Sequence, residues 1–186
     1  MSNVRQPWTT VNHSQQEQAI REEVRLAPYD PQWLSLFEAE RDRLLSLFPD
    51  LLAIEHFGST AFVGLPAKPI IDLLAGVESM AQADALFEPI LDCGYTTSRE
   101  FNATLANRRW FMRSAQGHRT HHLHVVVHRG PVWLERLRFR DLLRISPSLA
   151  QSYSQLKVEL AARFRTDREA HTNAKAEFVA HARAVA

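Results

Sequence analysis

Asp72 stands inside the apolar run PIIDLLAGV, residues 69–77. A carboxylate placed in a strand built for burial is costly unless it is ion-paired, hydrogen-bonded or bound to a metal. A second run, RTHHLHVVVH at 119–128, carries four histidines. Strand alternation puts His122, His124 and His128 on one face with Val126, and Asp72 on one face with Ile70, Leu74 and Gly76. The pair His122-x-His124 presents two imidazoles to one point. With Asp72 from a neighbouring strand it makes a mixed oxygen and nitrogen donor set, with a position open for water or substrate. The same residues serve equally well without a metal, the histidines bonding to backbone or to Asp72.

The segment GSTAFVGLPAKP, residues 58–69, is the next candidate. Gly58 and Ser59 end a strand, Gly64 and Pro66 shape a loop, and Lys68 arrives just before the Asp72 strand. Backbone N–H groups, the Ser59 and Thr60 hydroxyls and a lysine suit a phosphate or another anion. The spacing matches neither a Walker loop nor a dinucleotide fingerprint, and a plain surface loop has the same composition. Ser59 lacks the strand–turn–helix elbow of a hydrolase nucleophile. In RLRFRDLLR, Arg136, Arg140 and Arg144 recur every four residues and stack along one helix side. They suit an anionic partner, or a face neutralised by Glu135 and Asp141. Tyr153 and Lys157 lie one turn apart and reach toward a site, although Tyr153 belongs to an apolar stripe and has packing to do. Cys93, beside a helix stop, reads as structural.

The elements that must position these residues follow from pattern. Residues 1–22 are polar and Gln-rich and read as a mobile extension, with a helical turn near Gln15–Glu23. EVRLAPYD suggests a short strand and a turn. Asp30-Pro31 opens a helix whose stripe is Leu34, Phe37, Leu44, Leu45 and Phe48, and Pro49 follows its end. LLAIEHF and PIIDLLAGV read as two central strands. One helix is predicted from Ser79 to Cys93, with Ser79 and Gln82 as a capping box and Gly94 as the stop. RRWFMRS and RTHHLHVVVH read as a hairpin around SAQGHR. Helices at about 131–145, 147–165 and 168–183 complete the chain. The class is α+β: a small mixed sheet covered by helices, with a helical C-terminal part, as one domain over 23–186.

The chain of 186 residues is long enough for one well-cored domain. With 22 basic and 21 acidic residues, bulk charge nominates neither nucleic acid nor a membrane as partner. A single cysteine excludes an internal disulfide framework. With no membrane-length apolar run and no secretory signal pattern, a cytoplasmic protein is expected.

Four blocks together carry a resemblance: IEHFGSTAFVGLPAKPIIDLLAGV, THHLHVVV, LRFRDLLR and YSQLKVELAARF. In order and spacing the chain resembles the GrpB family from about Val24 to Phe178. That family belongs to the nucleotidyltransferase-fold superfamily, and members also occur fused to dephospho-CoA kinase. The resemblance implies that Gly58-Ser59 matches the Gly-Ser turn that cradles nucleotide phosphates. It also implies that Asp72 matches the first metal-binding carboxylate. The chain departs from the active pattern, which has Asp-x-Asp or Asp-x-Glu where this sequence has Asp72-Leu73-Leu74. His122-Leu123-His124 falls where a third carboxylate is expected. Asp72, His122 and His124 then read as the ligands of a divalent metal (Mn, Mg or Zn), and one transition-metal ion suits them better than a magnesium pair. Asp72 and His124 are the expected catalytic residues. Gly58, Ser59, Thr60, Lys68, Arg140 and Lys157 are expected to hold a nucleotide or another phosphate-bearing small molecule. The expected function is that of a nucleotidyltransferase-like protein passing a nucleotidyl group to an acceptor. The alternatives are a non-catalytic module for a nucleotide or CoA-type ligand, with a protein partner, and a metal-dependent phosphoester hydrolase.

Overall fold

The computed structural model describes residues 22–167, 170 and 173–184. The expectations for the N-terminal extension fall almost wholly outside these residues.

Helix α1, Gln32–Leu47, starts where Asp30 Oδ1 accepts the N–H of Gln32 at 2.9 Å. Trp33, Phe37 and Leu44 are buried along its inner stripe. Strand β1 is Ala53–Phe57, followed by a 3-10 turn at Ser59–Ala61, and β2 is Ile71–Val77. The predicted helix over 79–93 is two short helices instead, α2 at Met80–Ala85 and α3 at Phe87–Asp92. The break falls at Leu86, with φ −81° and ψ −4°. Pro89 has no N–H to give to the carbonyl four residues back, so the ladder cannot run through this point. Ser79 caps α2 as expected by accepting the Gln82 N–H, but Gln82 Oε1 returns to the N–H of Glu78 rather than to that of Ser79.

A further helix, α4 at Arg99–Ala103, was not legible in the pattern. Strands β3, Arg109–Ala115, and β4, His118–Val127, form the expected hairpin, with Gln116 and Gly117 at positive φ in its turn. Helices α5, Pro131–Ile145, and α6, Pro147–Arg163, start on prolines at the first helical position. Helix α7 is Ala176–Ala184, and part of the expected 168–183 helix lies outside the described residues. EVRLAPYD contributes only a bridge between Ala27 and Ala67.

The four strands form one mixed sheet in the order β1-β2-β4-β3. Strands β1 and β3 pair antiparallel to their neighbours, and β2 and β4 pair in parallel with Asp72 opposite His122 and Leu74 opposite His124. One face carries Ile71, Leu73, Ala75, Val77, Phe111, Leu123 and Val125, packed against Trp33, Phe37 and Leu44 of α1 and against α2 and α3. The other face is thinner: Phe57, Leu74 and Val126 meet Trp133 of α5. Gly76 lets that indole approach, because a Cβ there would lie 3.0 Å from the Trp133 ring. A third cluster of Phe62, Leu143 and Tyr153, joined by Leu65, Phe139 and Phe178, ties the loop after β1 to the C-terminal helices.

Candidate functional site

The parallel register of β2 and β4 is what builds the site. It sets Asp72 beside His122 on the face covered by α5, and His122 Nδ1 lies 3.1 Å from Asp72 Oδ1. A carboxylate accepts, so the proton of the neutral imidazole sits on Nδ1 and the Nε2 lone pair is left over. Among the described residues, that buried Nε2 has no hydrogen-bond partner. A buried polar atom left unpaired costs about 1–3 kcal/mol. Burial pushes the His122 pKa down, and the neighbouring Asp72 only partly restores it, so the ring is neutral at pH 7. Trp110 leans on it with ring centroids 5.4 Å apart.

The Gly58-Ser59 turn closes on the same carboxylate. Gly58 has φ of +73°, and a Cβ at this position would collide with the Asp72 carboxylate. Glycine is required here twice over, for its backbone conformation and for the close approach. Burial pushes the Tyr153 hydroxyl of α6 up, the Ser59 hydroxyl beside it counteracts, and the charge of Asp72 pushes it up further. Tyr153 lies in the apolar stripe as expected, between Phe139 and Phe178, while its hydroxyl reaches the turn.

Basic side chains act on this acid and its two histidines. Lys68 and Arg119 act on His122, Arg108 and Arg136 act on His124, and Lys175 feels Asp72. Burial lowers the Arg108 pKa and the charge of Arg136 lowers it further, with Glu135 in partial compensation. Sequence reasoning missed Arg108, Arg119 and Lys175 as members of the site. None sits in a motif, and only the tertiary fold brings Arg108 within reach of His124, Arg119 within reach of His122 and Lys175 within reach of Asp72.

Of the residues named from sequence, Gly58, Ser59, Lys68, Asp72 and His122 are brought together. His124 shares their face, but it is buried edge-on against Phe57, and burial holds its pKa well below the usual value. Thr60 turns inward: it donates to the Ile70 carbonyl at 3.1 Å and accepts from His56 Nε2 at 3.0 Å. Arg140 is engaged by Glu55 at 2.7 Å, Asp141 at 2.8 Å and the His56 carbonyl at 3.2 Å. Lys157 is buried and donates to the Pro66 carbonyl at 2.7 Å, so it fastens the loop. Among the described residues, no three His, Cys, Asp or Glu side chains are placed to hold a metal ion. The donor set at Asp72 does not fit a resident pair of divalent cations, which needs several carboxylates. Nor, among the described residues, is any helix long and apolar enough to cross a membrane.

The GrpB protein family model matches residues 23–184. A crystal structure of the conserved protein GrpB from Enterococcus faecalis superposes with a TM-score of 0.76 at 32% identity, covering 87% of this chain and 96% of that one. The UPF0157 protein YqkA of Bacillus subtilis is 34% identical over 160 residues, which are 86% of this chain but 46% of YqkA. A dephospho-CoA kinase of Mycobacterium bovis is 31% identical over 167 residues, 77% of this chain and 41% of the kinase. The chain thus spans less than half the length of these two curated relatives. On the extent of the family match and the likeness of the folds, the chain belongs to the GrpB family.

Proposed function

We propose that the Gly58-Ser59 turn and Asp72 form a binding site for a phosphate-bearing small molecule of the nucleotide or CoA class. On this reading the chain acts as a ligand-binding module and not as a two-metal nucleotidyltransferase. The observation that carries the reading is one carboxylate, Asp72, bonded to His122 and closely approached by the Gly58 turn, with the charges of Lys68 and Arg119 acting on His122, that of Arg136 on His124, and Lys175 within reach of Asp72. Phosphate oxygens would gain from the basic side chains and from the half-buried backbone of the turn. Asp72 then orients His122 and holds the turn in place. A nucleotidyl transfer step is not supported, because nothing in the donor set would neutralise a triphosphate the way a metal pair does. The alignment with part of a protein named dephospho-CoA kinase favours an attached, accessory role.

The test is calorimetric titration of ATP and CoA into the chain, with chelator or with manganese, against Arg136→Gln and Asp72→Asn. Binding should survive chelation, weaken about tenfold (~1.4 kcal/mol) in Arg136→Gln, and hold or tighten in Asp72→Asn, where a repelling charge is gone. Binding that requires manganese and vanishes in Asp72→Asn would overturn this reading in favour of metal-assisted transfer or hydrolysis.

A further inference from the structure

On the far side of the same turn lies a cleft that the Asp72 site does not use. It has a volume of about 920 Å³ and runs along the free edge of β1, between α1, the loop at 60–65, α5 and the start of α6. Asp72, His122 and His124 do not line it. That volume is in the range of small-molecule sites.

The lining has two characters. Leu34, Phe37, Phe62, Leu65 and Leu143 make an apolar wall, and Val63 and Leu34 stand well exposed, at 83% and 53%. His56 in the floor is stacked on Phe37, with ring centroids 4.6 Å apart, and its Nε2 is taken by Thr60. Burial holds this imidazole neutral, with its pKa lowered to about 4, so the floor carries no charge at pH 7. The polar side is basic. Arg140 is spent on Glu55, Asp141 and the His56 carbonyl. Arg144 is in a different position: its ion pair is to Asp141 at 3.5 Å, and Arg140 already holds that carboxylate. Burial and the like charge of Arg140 disfavour its cationic form by more than Asp141 and Glu55 favour it. A cation at the edge of an apolar cavity, short of counter-charge, gains from an incoming anion.

We propose that this cleft is a second binding site, for a small amphipathic anion whose apolar body lies against Phe37, Phe62 and Leu143 and whose anionic head pairs with Arg144. Carboxylate and phosphate heads share that chemistry. The proposal does not depend on what occupies the Asp72 site, since no residue of that site takes part in it.

The test is calorimetric titration of octanoate and octyl phosphate, with octanol, acetate and inorganic phosphate as controls. One of the two amphipathic anions should bind at a single site at least tenfold more tightly than octanol, and the tighter of the pair identifies the head group. Acetate and inorganic phosphate, which lack the tail, should show no binding at this site. Arg144→Gln, a half-exposed position, should bring the amphipathic anion down to the level of octanol. Ala150→Trp, on the cleft wall, should block all binding, and a thermal melt shows whether it is folded. Asp72→Asn should bind as the parent does. Equal affinity for octanol and both anions overturns the proposal, as does an unchanged Arg144→Gln, a folded Ala150→Trp that still binds, or displacement by ATP. If Ala150→Trp does not fold, the Arg144→Gln comparison decides alone.

Discussion

At Gly58 a single missing side chain allows two things that the site needs. Its φ of +73° is a backbone conformation that side-chain-bearing residues adopt at a cost, and its Cα hydrogen occupies the space a methyl would take from Asp72. Gly58→Ala should therefore destabilise the chain by about 1–3 kcal/mol in urea denaturation. Adding Asp72→Ala to the same chain should recover the part due to the collision and leave the part due to φ. If Gly58→Ala is neutral, the turn is not held as described. Asp72 itself is replaceable by Asn without unfolding, because the amide oxygen can still accept from His122 Nδ1. The opposite face holds a buried carboxylate that motif reading passed over. Glu40 is bonded by Arg43 and Arg113, both at 2.6 Å, and by the Tyr95 hydroxyl at 2.9 Å. Burial would raise its pKa, yet these partners hold it below the usual carboxylate value. The signal was available, since position 40 falls on the stripe of Trp33, Phe37 and Leu44, where a charge has to be explained.

Among the elements, α6 fastens the loop that follows the turn. From adjacent turns of one helix, Tyr153 lies close enough to Ser59 for that hydroxyl to lower its pKa, and Lys157 donates to the Pro66 carbonyl. Burial depresses the Lys157 pKa to about 8, with Lys175 adding to the effect. Lys157→Met keeps the apolar stem but leaves the Pro66 carbonyl without its donor. The expected loss is on the order of 1–3 kcal/mol by thermal or urea denaturation. Phosphate-ligand binding should weaken with it, because the loop after the Gly58-Ser59 turn is freed at one end. A folded Lys157→Met variant of unchanged stability would show that the contact does not anchor the loop. The α2–α3 break shows the limit of reading by period. The apolar positions of 80–91 suit one helix, but a proline three residues into its second half removes a rung that no stripe reveals.

Across the whole molecule, buried neutral histidines set the pH response. His56 and His121 are both pushed down to about 4 by burial, and His122 and His124 shift the same way. Each binds a proton in the unfolded chain near pH 6.5 that the folded chain refuses until a lower pH. The unfolded state therefore binds more protons in that window, and stability rises with pH through it. The histidine contribution should be complete above about pH 7 and be lost steadily from pH 6.5 toward pH 4, by up to roughly 3 kcal/mol for each of His56 and His121. Glu40, with its lowered pKa, adds in the same direction below its unfolded value of 4.5. Urea melts at half-unit pH steps would check this, and a flat profile between pH 7 and pH 5 would contradict it.

What the amino-acid sequence determined by itself was local and periodic. The α5 and α6 starts on Pro131 and Pro147, the Asp30 contact at the head of α1 and the β3–β4 hairpin follow from residue preferences acting over a few positions. The suspicion of Asp72 and of the Gly58-Ser59 turn came the same way, because a charge in an apolar strand and a glycine at a strand end are visible without partners. Which partner Asp72 has was decided only by the tertiary structure, through the parallel pairing of β2 with β4 across 50 residues of chain. The same holds for the inward turn of Thr60, the engagement of Arg140 and the arrival of Lys175. Each depends on contacts between segments far apart in sequence, and the alternation within one strand or helix carries no information about its neighbours.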